Sequence, residues 1–151
     1  MSSKDPAWVT TIVPVQRTLG DIRQLFIKHG CDNISFPENL KTGEIIIYFV
    51  YHGQPVSLNL NPKRMENRIR ATQKFKSKLP DYIREQAARV TARQAFYYLK
   101  VTFECIETKL FSTAEALLAH FTTQSGERFI DLVGTLDPKI HQLLIEERTT
   151  L

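Results

Sequence analysis

Eight consecutive residues, Glu44 to Tyr51, read EIIIYFVY. β-Branched and aromatic side chains at this density favour an extended strand. Apolar residues occupy both the odd and the even positions, so both faces of that strand call for cover. His52-Gly53 follows as a two-residue turn, since glycine tolerates a positive φ. Val56, Leu58 and Leu60 then alternate with Ser57 and Asn59, the signature of a half-buried antiparallel strand. Ile34 and Phe36 add a short strand before Pro37, and Glu38 to Gly43 is a loop. These segments predict an antiparallel sheet of three or four strands. Its doubly apolar strand lies at the centre, and the second face is covered by another layer or by a second subunit.

The helical periods supply the rest of the fold. Ala92, Phe96, Leu99, Phe103, Ile106 and Leu110 keep a spacing of three and four within a helix running from Pro80 to about Lys109. Its second half, Ala95 to Ile106, is apolar nearly all round, as a central core helix should be. An earlier helix is predicted with Thr18 as N-cap, Asp21 in a capping-box position, and an apolar face of Leu19, Ile22, Leu25 and Phe26. Gly30 stops it. Val9 to Val15 reads as an extended segment, confined to an edge by Pro14. Ser112 with Glu115 forms a second capping box, opening a helix with Ala116, Leu117, Leu118 and Phe121. Phe129 to Val133 is short and ambiguous, and Pro138 to Glu147 reads as a final amphipathic helix with Ile140, Leu143 and Leu144 inward. The fold class is therefore α+β: a small, mainly antiparallel sheet packed on a long central helix, with additional short helices. The 151 residues form a single domain, with 1–8 and 148–151 as loose tails and 61–79 as a long basic loop holding at most a short helix around 65–73.

Several kinds of chemistry find no support. There is no Walker A loop, dinucleotide fingerprint or nucleophile elbow. The four histidines show no metal-ligand spacing, so a metal site would need His120, His141, Glu104, Glu107 or Glu115 to converge through the fold. Those carboxylates read more simply as helix-surface charges and a cap. Neither an enzyme nor a cofactor is expected; the enzymatic alternative is a metal-dependent nuclease or hydrolase, which would need Glu104, Glu107 or His120 to converge. The N-terminus lacks the apolar core of a signal peptide, and no stretch reaches the roughly 18 apolar residues of a membrane span. Cys31 and Cys105 suggest reduced thiols in a cytoplasmic protein.

The charge distribution is the clearest functional signal. Lys63, Arg64, Arg68, Arg70, Lys74, Lys76 and Lys78 stand against a single acid, Glu66. Extending the window to Lys100 adds Arg84, Arg89, Arg93 and Lys100 against Asp81 and Glu85. The window then carries +8, leaving −4 on the remainder of a chain whose net charge is +4. Clustered cations bind polyanions by releasing condensed counterions, and rings among them can stack on unpaired bases. Phe75 and Tyr97 are the candidate stacking residues, and Tyr82 is also interleaved with the cations. Gln86, Arg89, Arg93, Tyr97 and Lys100 lie on one stripe of the long helix, which makes Arg89, Arg93 and Lys100 the expected fixed part of the surface. The expected partner is nucleic acid, single-stranded in preference, or else the acidic surface of a protein to which this chain attaches as an inhibitor or adaptor. The bland alternative is a solvated face that keeps the protein in solution.

Several short motifs add a context. They are Val13-Pro14-Val15, Lys28-His29-Gly30, Ala92-Arg93-Gln94, Leu99-Lys100 with Glu104 and Glu107, Ser112-Thr113-Ala114-Glu115, Leu118-Ala119-His120 and Ser125-Gly126-Glu127-Arg128. Together they resemble a family of small bacteriophage and mobile-element proteins that has no assigned activity. The resemblance spans most of the chain and implies a bacterial host cytoplasm. That pattern tends to carry a Trp-Arg pair after the Arg-Gln step, where this chain has Phe96-Tyr97.

Overall fold

A computed structural model describes residues 5–133 of the chain. The expected helix at 138–147 and the tail at 148–151 lie outside the described residues. Helix α1 spans Val15–Lys28, and strands β1 (Asp32–Ser35), β2 (Ile45–Tyr51) and β3 (Gln54–Leu60) follow. Then come α2 (Lys63–Ala71), a single 3-10 turn at Gln73–Phe75, and the long helix α3 (Pro80–Glu107). Short helices α4 (Thr113–Leu117) and α5 (Phe129–Val133) flank another 3-10 turn at Leu118–His120. The α+β class is as the sequence predicts.

The sheet is an antiparallel meander in the order β1-β2-β3, with β2 central. His52 and Gly53 join β2 to β3 with φ values of 48° and 77°, the left-handed pair that a two-residue hairpin turn requires. β2 and β3 pair without interruption from Ile45↔Leu60 to Tyr51↔Gln54. β1 slips by one residue between Asp32↔Val50 and Ser35↔Tyr48, a bulge accompanied by a positive φ of 51° at Asn33. β2 buries Ile45, Ile47, Phe49 and Tyr51 on one face. Its other face, Ile46, Tyr48 and Val50, is only partly covered among the described residues, so the strand is half-buried rather than enclosed. Near the sheet edge Phe121 bridges to Val56, and Ser57 exchanges a 3.1 Å hydrogen bond with Thr122.

Two apolar clusters divide α3 between them. Ala95, Leu99 and Phe103 of its second half join Ile22 and Phe26 of α1, Ile47 and Phe49 of β2, and Val56 of β3. Phe26 stacks on Phe49 at 4.1 Å and meets Phe103 edge-on at 5.9 Å, so three elements share one aromatic centre. The first half carries Ile83, Ala87 and Val90, which pack with Val9, Ile69 and Phe75.

Three local expectations are corrected. α1 begins at Val15 after Pro14, not at Thr18, which is buried inside the helix. Asp21 is drawn away from capping by Arg93, 3.0 Å distant on α3. Within the described residues 5–14, the segment before α1 is neither a loose tail nor a strand. Pro6 and Val9 are buried, and Gln86 donates to the carbonyls of Val9 and Thr11 at 2.8 and 2.9 Å. The region 61–79 is not a long loop: the short helix expected around 65–73 is present as α2, Lys63–Ala71, and the rest is ordered by packing on α3. α2 turns Met65 and Ile69 inward, and Phe75 closes the same cluster. Two or three apolar residues among cations are too few for a clear period, yet they suffice when a neighbouring helix receives them. Gly30 does end α1 as expected. Its N–H reaches Ile27 O, and the Cys31 N–H reaches Phe26 O at 2.9 Å, the paired bonds of a Schellman motif.

Candidate nucleic-acid interface

Burying Met65 and Ile69 fixes the opposite side of α2 toward solvent. Lys63, Arg64, Arg68 and Arg70 are all exposed on that helix, and Lys74 in the 3-10 turn and Lys76 and Lys78 after it continue the exposed row. The one acid within this run, Glu66, turns toward Arg84 of α3 at 4.0 Å and does not interrupt the cationic face. Arg84 also bonds Asp81 at 3.2 Å, so the adjacent α3 acid is already engaged. Arg70 is steadied by Asn67 at 3.2 Å. Beside the start of α2 a cleft of about 470 Å³ with a mixed lining brings Lys63, Arg84, Lys41, Glu38 and Glu66 together with Val15, Leu40 and Ile45.

The expected stacking residues lie elsewhere. Phe75 is 1% exposed and belongs to the core, so it cannot receive a base. Tyr97 is stacked on Trp8, with ring centroids 4.5 Å apart and planes within 4°. Of the three aromatics interleaved with the cations, the one that stays accessible is Tyr82, 40% exposed, with the Lys78 ammonium 5.3 Å from its centroid. Tyr82 was visible in the sequence as one of the interleaved aromatics. What the period did not reveal is that Phe75 and Tyr82, rings 6.0 Å apart, divide the inside and outside of this corner between them.

The α3 stripe is also reassigned. Gln86 is buried and holds the N-terminal segment. Arg89 leans on Gln86 at 3.2 Å and Glu85 at 3.7 Å. Arg93, its side chain 13% exposed, clamps Asp21 and Thr18 of α1 and lies over the rings of Phe96 and Tyr97. These residues join α1 and the N-terminal segment to α3. Lys100 is exposed, but it lies 16 residues beyond Arg84, roughly 24 Å along the helix. The expected single surface thus separates into an exposed α2 face and a structural seam.

Other titratable groups are buried or held by neighbouring side chains. His29 stacks on Phe103 at 4.5 Å, and its Nδ1 lies 2.6 Å from Glu107, off the line of a well-formed hydrogen bond. Burial, with Asp32 adding to it, pushes the Cys31 thiol up to about 12. Burial also raises the Tyr51 phenol. Ser112 holds the Glu115 carboxyl low, through its backbone N–H first and its hydroxyl second, so this acid is committed to the predicted capping box. His120 bonds Tyr98 at 3.1 Å, and burial lowers its proton affinity. Among the described residues no three His, Cys, Asp or Glu side chains gather as metal ligands. His141 lies outside the described residues. Both cysteines are free. No described helix is long and apolar enough to cross a membrane. No family model, curated protein or solved structure matches this chain.

Proposed function

We propose that this chain is a non-enzymatic nucleic-acid-binding protein that favours single strands and contacts them through α2 and the turn after it. The observation that carries this reading is the row of seven exposed cations from Lys63 to Lys78, four of them on the ordered helix α2, whose only acid faces away, and three on the turn and connection that follow. An anchored row presents phosphates with a fixed spacing of charge, which a solvated loop would not. Tyr82, with Lys78 over its ring, supplies a stacking platform at the end of the row. The resemblance to bacteriophage and mobile-element proteins supports a role in a bacterial cytoplasm. The test is fluorescence anisotropy with labelled single-stranded DNA, single-stranded RNA and duplex DNA at low salt. Binding to a single strand, lost when Lys63, Arg64, Arg68 and Arg70 are changed to Glu, is the expected result. Absence of binding to every nucleic acid refutes it. A lysate partner that survives nuclease treatment and needs the same cations would instead establish docking on an acidic protein.

A further inference from the structure

The cleft beside the start of α2 continues into a second one. The first, of about 470 Å³, brings together Lys63 of α2, Arg84 of α3 and Lys41 of the β1–β2 connection. The second, of about 380 Å³, is lined by Arg23 and Leu19 of α1 and by the half-buried ring of Phe36. Gln16, Glu38 and Ile45 line both, so the two are compartments of one groove. The β1–β2 connection that walls it is pinned by its own turn. Asn39 Oδ1 accepts from the backbone N–H groups of Lys41 and Thr42 at 2.9 and 3.2 Å, and the Gly43 N–H reaches Asn39 O at 2.7 Å with a φ of 75°. Pro14 offers α1 no side-chain cap, so the positive end of that helix stands at Val15 and Gln16 in the groove wall. Four cations line the groove against two acids, Glu38 and Glu66, and Glu66 is turned to Arg84. Among the described residues Lys41, Lys63 and Arg23 form no ion pair.

We infer that the single strand bound by α2 runs on through this groove, with Lys41 and Arg23 on its phosphates and unpaired bases turned against Phe36 and the apolar wall. The role of the groove rests on that of α2. Lys63 belongs both to the α2 row and to the groove, so the two surfaces are continuous. Each compartment has the size of a site for a small organic group. Cations beside an aromatic and aliphatic wall match a single strand, which carries flat apolar bases along a charged backbone. A duplex keeps its bases paired and stacked, so it can meet the α2 row but cannot fill the groove. An acidic peptide supplies the charge without the flat faces. The groove is thus the part of the surface that distinguishes single strands from the other polyanions.

Anisotropy titration of the full chain and its variants with single-stranded and duplex oligonucleotides tests this inference. Lys41→Glu combined with Arg23→Glu should weaken single-strand binding roughly tenfold or more. Both side chains are exposed, so the circular dichroism should be unchanged. The neutral pair Lys41→Gln and Arg23→Gln should flatten the salt slope by about 1.4, the share of two phosphates. Gln16→Trp, at an exposed position shared by both compartments, should fill the groove and lower single-strand affinity roughly tenfold while leaving duplex affinity in place. A photo-crosslinking residue at Leu40, 87% exposed, should capture the bound strand, and one at Leu110, beyond the far end of α3, should not. Single-strand binding that needs the α2 cations but ignores Lys41, Arg23 and Gln16 overturns the groove and leaves the α2 reading standing. A chain that binds no nucleic acid overturns both. Polyglutamate that competes as well as an unlabelled single strand of equal charge overturns the seating of bases.

Discussion

Replacing Phe75 and Tyr82 one at a time separates the structural half of the basic corner from its exposed half. Phe75 is 1% exposed and closes a cluster formed by Val9, Ile69, Ile83, Ala87 and Val90. Phe75→Ala removes a buried ring and leaves a cavity that α2 can fill only by collapsing toward α3, so a loss of about 3–5 kcal/mol is expected. The lower end of that range is the better expectation, because the cluster is small and Tyr82 borders it. Tyr82 is 40% exposed, so Tyr82→Ala should cost less than about 1 kcal/mol of stability. On binding the order reverses. Tyr82→Ala should lose about 1–3 kcal/mol of affinity for a single strand if a base stacks there. Phe75→Ala, where still folded, should bind nearly as the wild type does. Urea unfolding followed by circular dichroism gives the first quantity, and anisotropy titration of the folded fraction gives the second. Phe75→Ala with wild-type stability and strongly impaired binding would refute the division and restore Phe75 as the stacking residue.

Gln86→Leu removes both donors from the carbonyls of Val9 and Thr11, so it should cost about 2–4 kcal/mol, read as a fall in thermal midpoint. An unchanged midpoint would show that the N-terminal segment is not held there. Cys105 should react with a thiol reagent at pH 8 in the native protein, whereas Cys31, buried and pushed up to about 12, should react only after unfolding. The Cys31 contribution to stability is fully present below its ordinary range near 9.0 and is lost as pH rises toward 12; equal labelling of both thiols in the fold would contradict this. Glu115 and Asp131 are both held below their ordinary ranges, by Ser112 and by Arg128 respectively. Their contributions are therefore present above the ordinary carboxylate range and lost as pH falls below it through their lowered native values. Ser112→Ala should remove the Glu115 part of that acid sensitivity, and an unaltered acid limb of the stability curve would exclude the cap as its source.

What could be read from the residues follows the strength of local signals. The hairpin was legible because His52-Gly53 dictates its own turn geometry and Val56, Leu58 and Leu60 keep a strict alternation. The long helix was legible because its apolar period persists for many turns, and Pro80 marks its start correctly. α2 was obscured because its buried face amounts to Met65 and Ile69, and its stability comes from α3 rather than from its own sequence. A separate long-range contact overrode the expected cap of α1. Thr18 and Asp21 look like a capping pair locally, but Arg93 recruits both from 72 or more positions away. The α3 stripe was correctly grouped on one side of the helix and given the wrong role. Periodicity shows which residues share a face, not whether another segment lies on it. Exposure within the basic segment depended on that same packing, which is why Phe75 and Tyr82 exchanged roles.

The central claim, that the cations displayed by α2 and the following turn hold nucleic acid, is tested most directly by the salt dependence of binding. Each phosphate neutralised on a single strand contributes about −0.7 to the slope of log affinity against log salt. Engagement of four to seven of the exposed cations therefore predicts a slope between about −3 and −5. Neutralising Lys63, Arg64, Arg68 and Arg70 to Gln should flatten it by up to about 3. The same treatment of Arg89 and Arg93 should leave the slope of the folded protein in place. A wild-type slope near zero, or one that the α2 substitutions do not change, would contradict the account.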